Sequence, residues 1–189
     1  MRPALGKRII VIGSPGAGKS TFSAKLSRIT GIELHHLDRI YWQPGWVPVS
    51  NEEFDFKLNE VLSAESWIID GNYQRTLQLR YSRADTVIFL DFNRYLCLYR
   101  SINRRFLSRD RRLDITEGCE EKIDTEFLKW IWNYRRRDRP ETLQIICQSE
   151  DKEILRFRTP RQLERFLIEV DSSNAGKPQN RKVEEKQAE

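Results

Sequence analysis

The sequence predicts an α/β domain: a mostly parallel five-strand sheet covered by helices on both faces. Three observations carry this. Short β-branched apolar runs recur along the chain, amphipathic helical segments separate them, and a glycine-rich turn joins the first run to the first helix. Parallel neighbours need crossover connections, which the helices supply. A chain of 189 residues lies in the size range of one domain and can bury a core that needs neither disulfide nor metal.

RIIVIG at Arg8–Gly13 is β-branched and ends in glycine, so it reads as a buried strand entering a tight turn. Residues 19–29 place Phe22, Leu26 and Ile29 at helical spacing, with Gly31 as the stop. IELHHLD at residues 32–38 reads as the second strand. YWQPGW, with its Pro44–Gly45 turn signal, reads as a loop. Residues 51–64 form an amphipathic helix through Phe54, Leu58, Val61 and Leu62, with Ser50 or Asn51 as N-cap. WIID at 67–70 and TVIFLDF at 86–92 are two further apolar runs, each carrying an aspartate at its end, with a short helical or turn segment at 75–82 between them.

Residues 94–108 and 124–138 read as helices flanking a polar stretch without a clear period, and Pro140 kinks or restarts the second. EILRF at 153–157 is the fifth strand, and Pro160 suits the first turn of a last helix reaching about Val170. The expected organisation is one domain over 1–171 and a polar, disordered tail over 172–189.

Cys97, Cys119 and Cys147 are an odd number at unrelated spacings. The sequence shows no signal peptide and no apolar run long enough to span a bilayer. A reducing cytoplasm, and no membrane partner, is the expectation. The net charge of +5 is concentrated: between Arg100 and Arg139 lie ten arginines and two lysines against eight acids, a surplus of four. Planar guanidinium groups bind phosphate bidentately and stay charged, so this segment has the composition of an anion clamp or lid. The plainer alternative is that its arginines solvate helices or pair with Asp110, Asp114 and Asp138.

GSPGAGKS matches G-x-x-x-x-G-K-[ST] in full, after a predicted strand and before a predicted helix. It is a phosphate-binding P-loop. Gly13, Ser14, Pro15, Gly16, Ala17, Gly18, Lys19, Ser20 and Thr21 would surround the phosphates of ATP or GTP with backbone N–H groups and a helix N-terminus. Lys19 would reach the β- and γ-phosphates, and the Ser20 hydroxyl would ligate Mg²⁺. Asp70 and Asp91 each end an apolar strand, where such a protein holds a carboxylate for the metal or its waters. Asp70 is favoured because Gly71 permits close approach. Strand-end aspartates also cap turns and helices, the alternative for Asp91. His35, His36 and Asp38, followed by Tyr41, Trp42 and Trp46, form a polar-then-aromatic patch on which a base or sugar could stack. Two adjacent histidines point to opposite faces of a strand and do not make a metal site.

The order GSPGAGKST, HHLDRIYWQPGWVP, WIIDGNYQRT, ADTVIFLDF and FLKWIWNYRRRDRP resembles the small bacterial P-loop proteins called DNA-topology-modulation or FlaR-related proteins, within the adenylate-kinase-like group of nucleotide and nucleoside kinases. The resemblance covers residues 8 to 170. It implies a P-loop NTPase three-layer sandwich with strand order 2-3-1-4-5, an acceptor region after the second strand and an arginine-bearing lid over about 100–139. It places Asp38 near the acceptor, Asp70 near Mg²⁺ and the arginines of 104–139 in the lid. Adenylate kinases carry DGFPR after the third strand. Here DGNYQR lacks the proline and sets Arg75, the corresponding acceptor contact, one residue later.

Together these readings predict an ATP-dependent, Mg²⁺-dependent kinase that transfers the γ-phosphoryl group to a small acceptor. Lys19 and the cluster Arg135, Arg136 and Arg137 would serve the transferring group, with Asp38, Trp42 and Arg75 at the acceptor. The alternative is a nucleotide-dependent DNA-binding regulator whose basic segment follows a phosphate backbone. Only charge supports it, since no helix-turn-helix, zinc-finger or RNP signature is present.

Overall fold

A computed structural model describes residues 5–107, 116, 118–119, 125–148 and 151–174, without the side chains of 105–107. The central sheet runs β2 (Leu34–His36), β5 (Trp67–Asp70), β1 (Arg8–Gly13), β6 (Thr86–Leu90) and β7 (Glu153–Phe157), every pair parallel. Among the sheet strands alone, in chain order, this is second, third, first, fourth and fifth. Two strands outside the sheet, β3 (Trp42–Gln43) and β4 (Val47–Pro48), pair antiparallel across Pro44–Gly45 in the segment expected as a loop.

Alternation along the central strands sends side chains to two cores, giving three layers. Ile10, Ile12, Ile69, Val87 and Phe89 pack on one face against α3 (Asn51–Ser63), α4 (Gln74–Arg83) and α7 (Asp138–Ile146), which contribute Phe54, Leu58, Tyr81 and Ile146. Ile9, Val11, Ile68, Ile88 and Leu90 pack on the other against α1 (Lys19–Thr30) and α8 (Pro160–Asn174) through Phe22, Leu26, Phe166 and Leu167. Each such side chain contributes roughly 1.5–3 kcal/mol when fully buried.

Local signals account for most boundaries. Ser50 Oγ accepts from the Glu53 N–H at 3.1 Å, capping α3. Gly31, at φ 73°, ends α1 with its N–H on the Ser27 carbonyl. Pro140 stands in the first turn of α7, a restart of the kind expected of it: α6 (Thr125–Asn133) gives way to a turn over 134–137, short of the expected 138, and α7 begins at Asp138. The second strand is shorter than expected because residues 37–41 wind into α2 (Leu37–Tyr41), with Leu37 fully buried against the sheet. Helix α8 continues past Asp171 to Asn174, whose Nδ2 donates to the Ile29 carbonyl at 3.1 Å. The rest of the expected tail, 175–189, lies outside the described residues, as does most of 108–124 of the expected lid. Among the described residues no helix is long and apolar enough to cross a membrane.

Candidate active site

Gly13 ends β1 and Lys19 begins α1, so the P-loop connects the middle strand of the sheet to a helix N-terminus. Gly16 sits at φ 76°, where a Cβ would come within 2.3 Å of Ser101 Oγ and 2.4 Å of the Cys97 carbonyl oxygen on α5 (Arg94–Leu107). Only glycine fits that position. The Lys19 ammonium donates to the carbonyls of Gly13 (2.9 Å) and Ser14 (3.2 Å), folded over the loop that a phosphate would enter. Arg100 on α5 donates to the Ala17 carbonyl at 3.2 Å, fixing the far side of the loop.

The loop after β5 is tied to the P-loop. Asn72 Oδ1 accepts from the Gly13 N–H at 3.1 Å, and the Gly71 N–H donates to the Val11 carbonyl at 3.2 Å. Beneath it, Arg80 of α4 is fully buried. Its guanidinium donates to the carbonyls of Gly71 (3.1 Å), Asn72 and Tyr73 (3.0 Å), and to Thr76 Oγ1 (3.3 Å). Burial pushes it down to about 9, against the pull of Tyr73 and Asp70, so it is still protonated at neutral pH. The side chain that approaches Gly71 is Leu37: a Cβ there would lie 2.9 Å from its Cβ, at φ 129°. Packing against α2 thus requires glycine here in its own right, besides the close approach of a phosphate or metal expected from the sequence.

Asp70 is buried at the carboxyl end of β5, opposite His36 in register on β2. His36 Nδ1 and Asp70 Oδ1 are 2.7 Å apart, while Asp70 Oδ2 is buried and has no hydrogen-bond partner among the described residues. That oxygen suits Mg²⁺ or one of its waters. Mg²⁺ takes one or two carboxylates with waters and phosphates, so the donor set of Asp70 and the Ser20 hydroxyl fits even though no group of three protein ligands occurs among the described residues.

Asp91, the alternative carboxylate, is engaged otherwise. Arg139 donates to it through Nε (2.8 Å) and Nη2 (3.0 Å), and Arg156 through Nε (2.9 Å) and Nη2. Burial pushes the Asp91 carboxyl up, but hydrogen bonds and charge from Arg139 and Arg156 outweigh it and hold the carboxyl below its ordinary value. The two arginines open onto a cleft of about 310 Å³, also lined by Ser14, Arg94, Arg135 and Arg158. The three arginines expected over the phosphates are all exposed on the turn before α7, and of them Arg135 lines this cleft. A second cleft of about 280 Å³ is lined by Gly16, Gly18, Thr21, Arg100, Arg104 and Pro160.

The acceptor residues expected from sequence border one aromatic cluster of Tyr41, Phe54 and Tyr73, with the Arg75 guanidinium 5.7 Å from the centre of the Phe54 ring. Asp38, in the first turn of α2, accepts from Tyr73 Oη at 2.8 Å. Burial, then the nearby Asp38 carboxylate, raises the Tyr73 phenol well above its ordinary value. Trp42 stacks edge-on with Tyr41 (4.8 Å) and Trp46 (5.4 Å) beside the Phe54–Tyr73 pair. Its carbonyl accepts from Thr116 Oγ1 at 2.5 Å, so part of the arginine-rich segment docks on the β3–β4 hairpin. Arg75 is exposed and turned to α3, bidentate on Asp55 at 2.8 Å through both terminal nitrogens.

Arg80, Asn72, Arg156 and the pairing of His36 with Asp70 have no assignment from sequence, and Arg139 has one only as a member of the expected lid. Arg139 and Arg156 are far apart in the chain: the β6–β7 register brings Arg156 beside the end of β6, and the start of α7 brings Arg139 to the same carboxylate. His36 carried a weak signal, the HHLD patch, but its partner is set by the β2–β5 register.

No family model matches the chain, and no curated protein matches it. Solved structures do. Shikimate kinase from Acinetobacter baumannii, in complex with shikimate, aligns with TM-score 0.56 at 16% identity over 93% of this chain and 97% of that one. Deoxyadenosine kinase from M. mycoides, with bound dATP, aligns with TM-score 0.51 at 15% identity over 87% and 97%. A gluconokinase from Sinorhizobium meliloti aligns with TM-score 0.50 at 14% identity over 92% and 93%. The chain has the fold of the P-loop kinases, and the likeness lends nothing to a role in DNA topology.

Proposed function

We propose that this chain is an ATP- and Mg²⁺-dependent phosphotransferase acting on a small acceptor. The observation that carries the reading is the intact P-loop between the middle strand and α1, with a buried carboxylate oxygen at the end of the neighbouring strand. The solved structures of similar fold, described as shikimate, deoxyadenosine and gluconate kinases, support a small-molecule acceptor.

In this reading Lys19 exchanges its two loop carbonyls for the β- and γ-phosphates, and backbone N–H groups of Gly16, Gly18, Lys19, Ser20 and Thr21 take the remaining phosphate oxygens. Ser20 and Asp70 hold Mg²⁺, which when bound neutralises charge on those phosphates. The donor's base and ribose lie in the cleft between Arg100, Arg104 and Pro160. Arg135 and Arg139 face the transferring group from the arginine cleft beside Ser14, where guanidinium charge stabilises the transition state. The acceptor approaches from the β2–β5 side, past Asp38 and Trp42.

The test is acceptor-dependent ADP formation across nucleosides, nucleotides and small metabolites, together with Lys19→Ala. That variant should fold and lose tight ATP binding or turnover. Unchanged affinity and turnover in it would sink the P-loop assignment. In the same assay Arg135→Ala or Arg139→Ala should lower kcat by roughly 10³-fold, the scale of an arginine finger, with ATP affinity changing far less. Arg136→Ala and Arg137→Ala should change little. Equal small losses at all four positions would mean that the cleft does not face the transferring phosphoryl group.

A further inference from the structure

Five arginines converge on the cleft beside the phosphate loop, and one acid answers them. Arg94, Arg135, Arg139, Arg156 and Arg158 line it together with Ser14 and Asp91. Arg156 lies on β7 and Arg158 just past its end, so the alternation of an extended chain puts the two on one face. Arg94 opens α5, whose first turn is capped by Asn93 Oδ1 accepting from the Tyr95 N–H at 2.9 Å, so the positive end of a 14-residue helix borders the cleft as well. Asp91 holds Arg139 and Arg156. The other three have no carboxylate partner among the described residues: Arg94 rests on the rings of Trp132 (4.0 Å) and Tyr95 (5.3 Å), and Arg135 and Arg158 are exposed.

We infer that this cleft is an oxyanion site in its own right, in which Arg94 and Arg158 take a phosphate group, free or carried by a small metabolite, that is not a phosphate of the nucleotide on the P-loop. The proposed function gives Arg135 and Arg139 to the transferring phosphoryl group and leaves Arg94 and Arg158 without a task. The cleft's volume of about 310 Å³ falls within the range of roughly 300–1,000 Å³ in which small molecules bind. Guanidinium groups gathered in one cleft repel one another, and a ligand with several acceptor oxygens relieves that repulsion. A carboxylate's two oxygens match one guanidinium fork, whereas the three terminal oxygens and near-double charge of a phosphate monoester serve two forks at once. The site stands apart from the phosphotransferase reading, since a phosphate binds here whether or not the chain transfers one.

The test is calorimetry on the full chain carrying Lys19→Ala, which weakens the phosphate loop as a competing anion site. Inorganic phosphate, pyrophosphate and ribose 5-phosphate are titrated at about 0.1 M salt, where charges farther apart than about 10 Å are screened. We expect one saturable site, and a loss of about tenfold or more in affinity on adding Arg158→Gln, the range of a charge-assisted hydrogen bond. Arg94→Lys should bind more tightly than Arg94→Gln and less tightly than the arginine, because an ammonium lacks the fork. Arg136 does not line the cleft, so Arg136→Gln removes the same charge and should change affinity about twofold or less. The Arg158 side chain has no hydrogen bond or ion pair to lose among the described residues, and an unchanged melting temperature checks that its variant is folded. Whichever of inorganic phosphate and ribose 5-phosphate binds more tightly tells a free phosphate from an ester, and either order supports the site. No saturable binding, or equal losses from Arg136→Gln and Arg158→Gln, would overturn it. The anion should also bind wild type saturated with Mg·ATP. If Mg·ATP excludes it, the cleft is an extension of the nucleotide site, and this inference falls while the phosphotransferase reading stands. If Mg·ATP does not bind at all, that reading fails and the Lys19→Ala titrations still decide this one.

Discussion

Asp91 is a carboxylate whose place at a strand end matches that of a metal ligand and whose partners give it another role. Two guanidinium groups occupy both of its oxygens, so it orients arginines at the edge of the cleft. The sign of its linkage follows from its lowered folded value. A depressed carboxyl contributes stability that is fully present above the unfolded value, near pH 4, and that is lost as pH falls through the folded one. Urea denaturation between about pH 2 and pH 6 should therefore show wild type losing more stability on acidification than Asp91→Asn does. The difference should be about 1–2 kcal/mol, because Arg156 and Arg139 are partly exposed and regain water when released. Parallel curves would show that the pair contributes nothing measurable. Tyr73 makes a related point: its φ of 33° is unusual for a non-glycine residue, and its hydroxyl, carbonyl and ring are all engaged, so the surroundings hold it there.

At the scale of elements, the loop between β5 and α4 is shaped from below by α4 through Arg80. One guanidinium satisfies three successive carbonyls that would otherwise turn into the interior, and Asn72 passes that order on to Gly13. Arg80→Ala should cost roughly 3–5 kcal/mol in chemical denaturation, since the carbonyls lose their donors in a buried place. It should also weaken ATP binding, because the Asn72 contact to the P-loop loses its support. Arg80→Lys should recover less than half of the stability, because a single ammonium cannot span the three acceptors as the fork does. A loss under 1 kcal/mol for the alanine variant would mean that water replaces the guanidinium without penalty.

Across the whole molecule, what was legible in the sequence is what is local. RIIVIG and GSPGAGKS identify β1, the turn and α1 because strand, glycines and helix follow one another directly. The alternating apolar runs fix the sheet strands for the same reason. Residues 37–43 were misread because the α2 turn is driven by burying Leu37 under Gly71, a contact across more than one element. The arginines were legible as a cluster and not as individuals: RRRDR carries no signal that separates Arg135 and Arg139, which line the cleft, from Arg136 and Arg137, which do not. Pairings such as His36 with Asp70 exist only through strand register, which periodicity does not reveal.

The sheet order has a further consequence for how the molecule opens. Strands β5, β1 and β6 have a neighbour on each side, whereas β2 is an edge strand of three residues paired to β5 alone. The glycine-rich loop therefore grows from the middle strand of the sheet, and the proposed acceptor face from an edge strand. Fluctuations that loosen β2, α2 and the hairpin need not disturb β1, so the two halves of the site differ in local unfolding free energy. Under the proposed function, such a molecule would exchange its acceptor through partial opening of one sheet edge while the nucleotide stays seated on the middle strand.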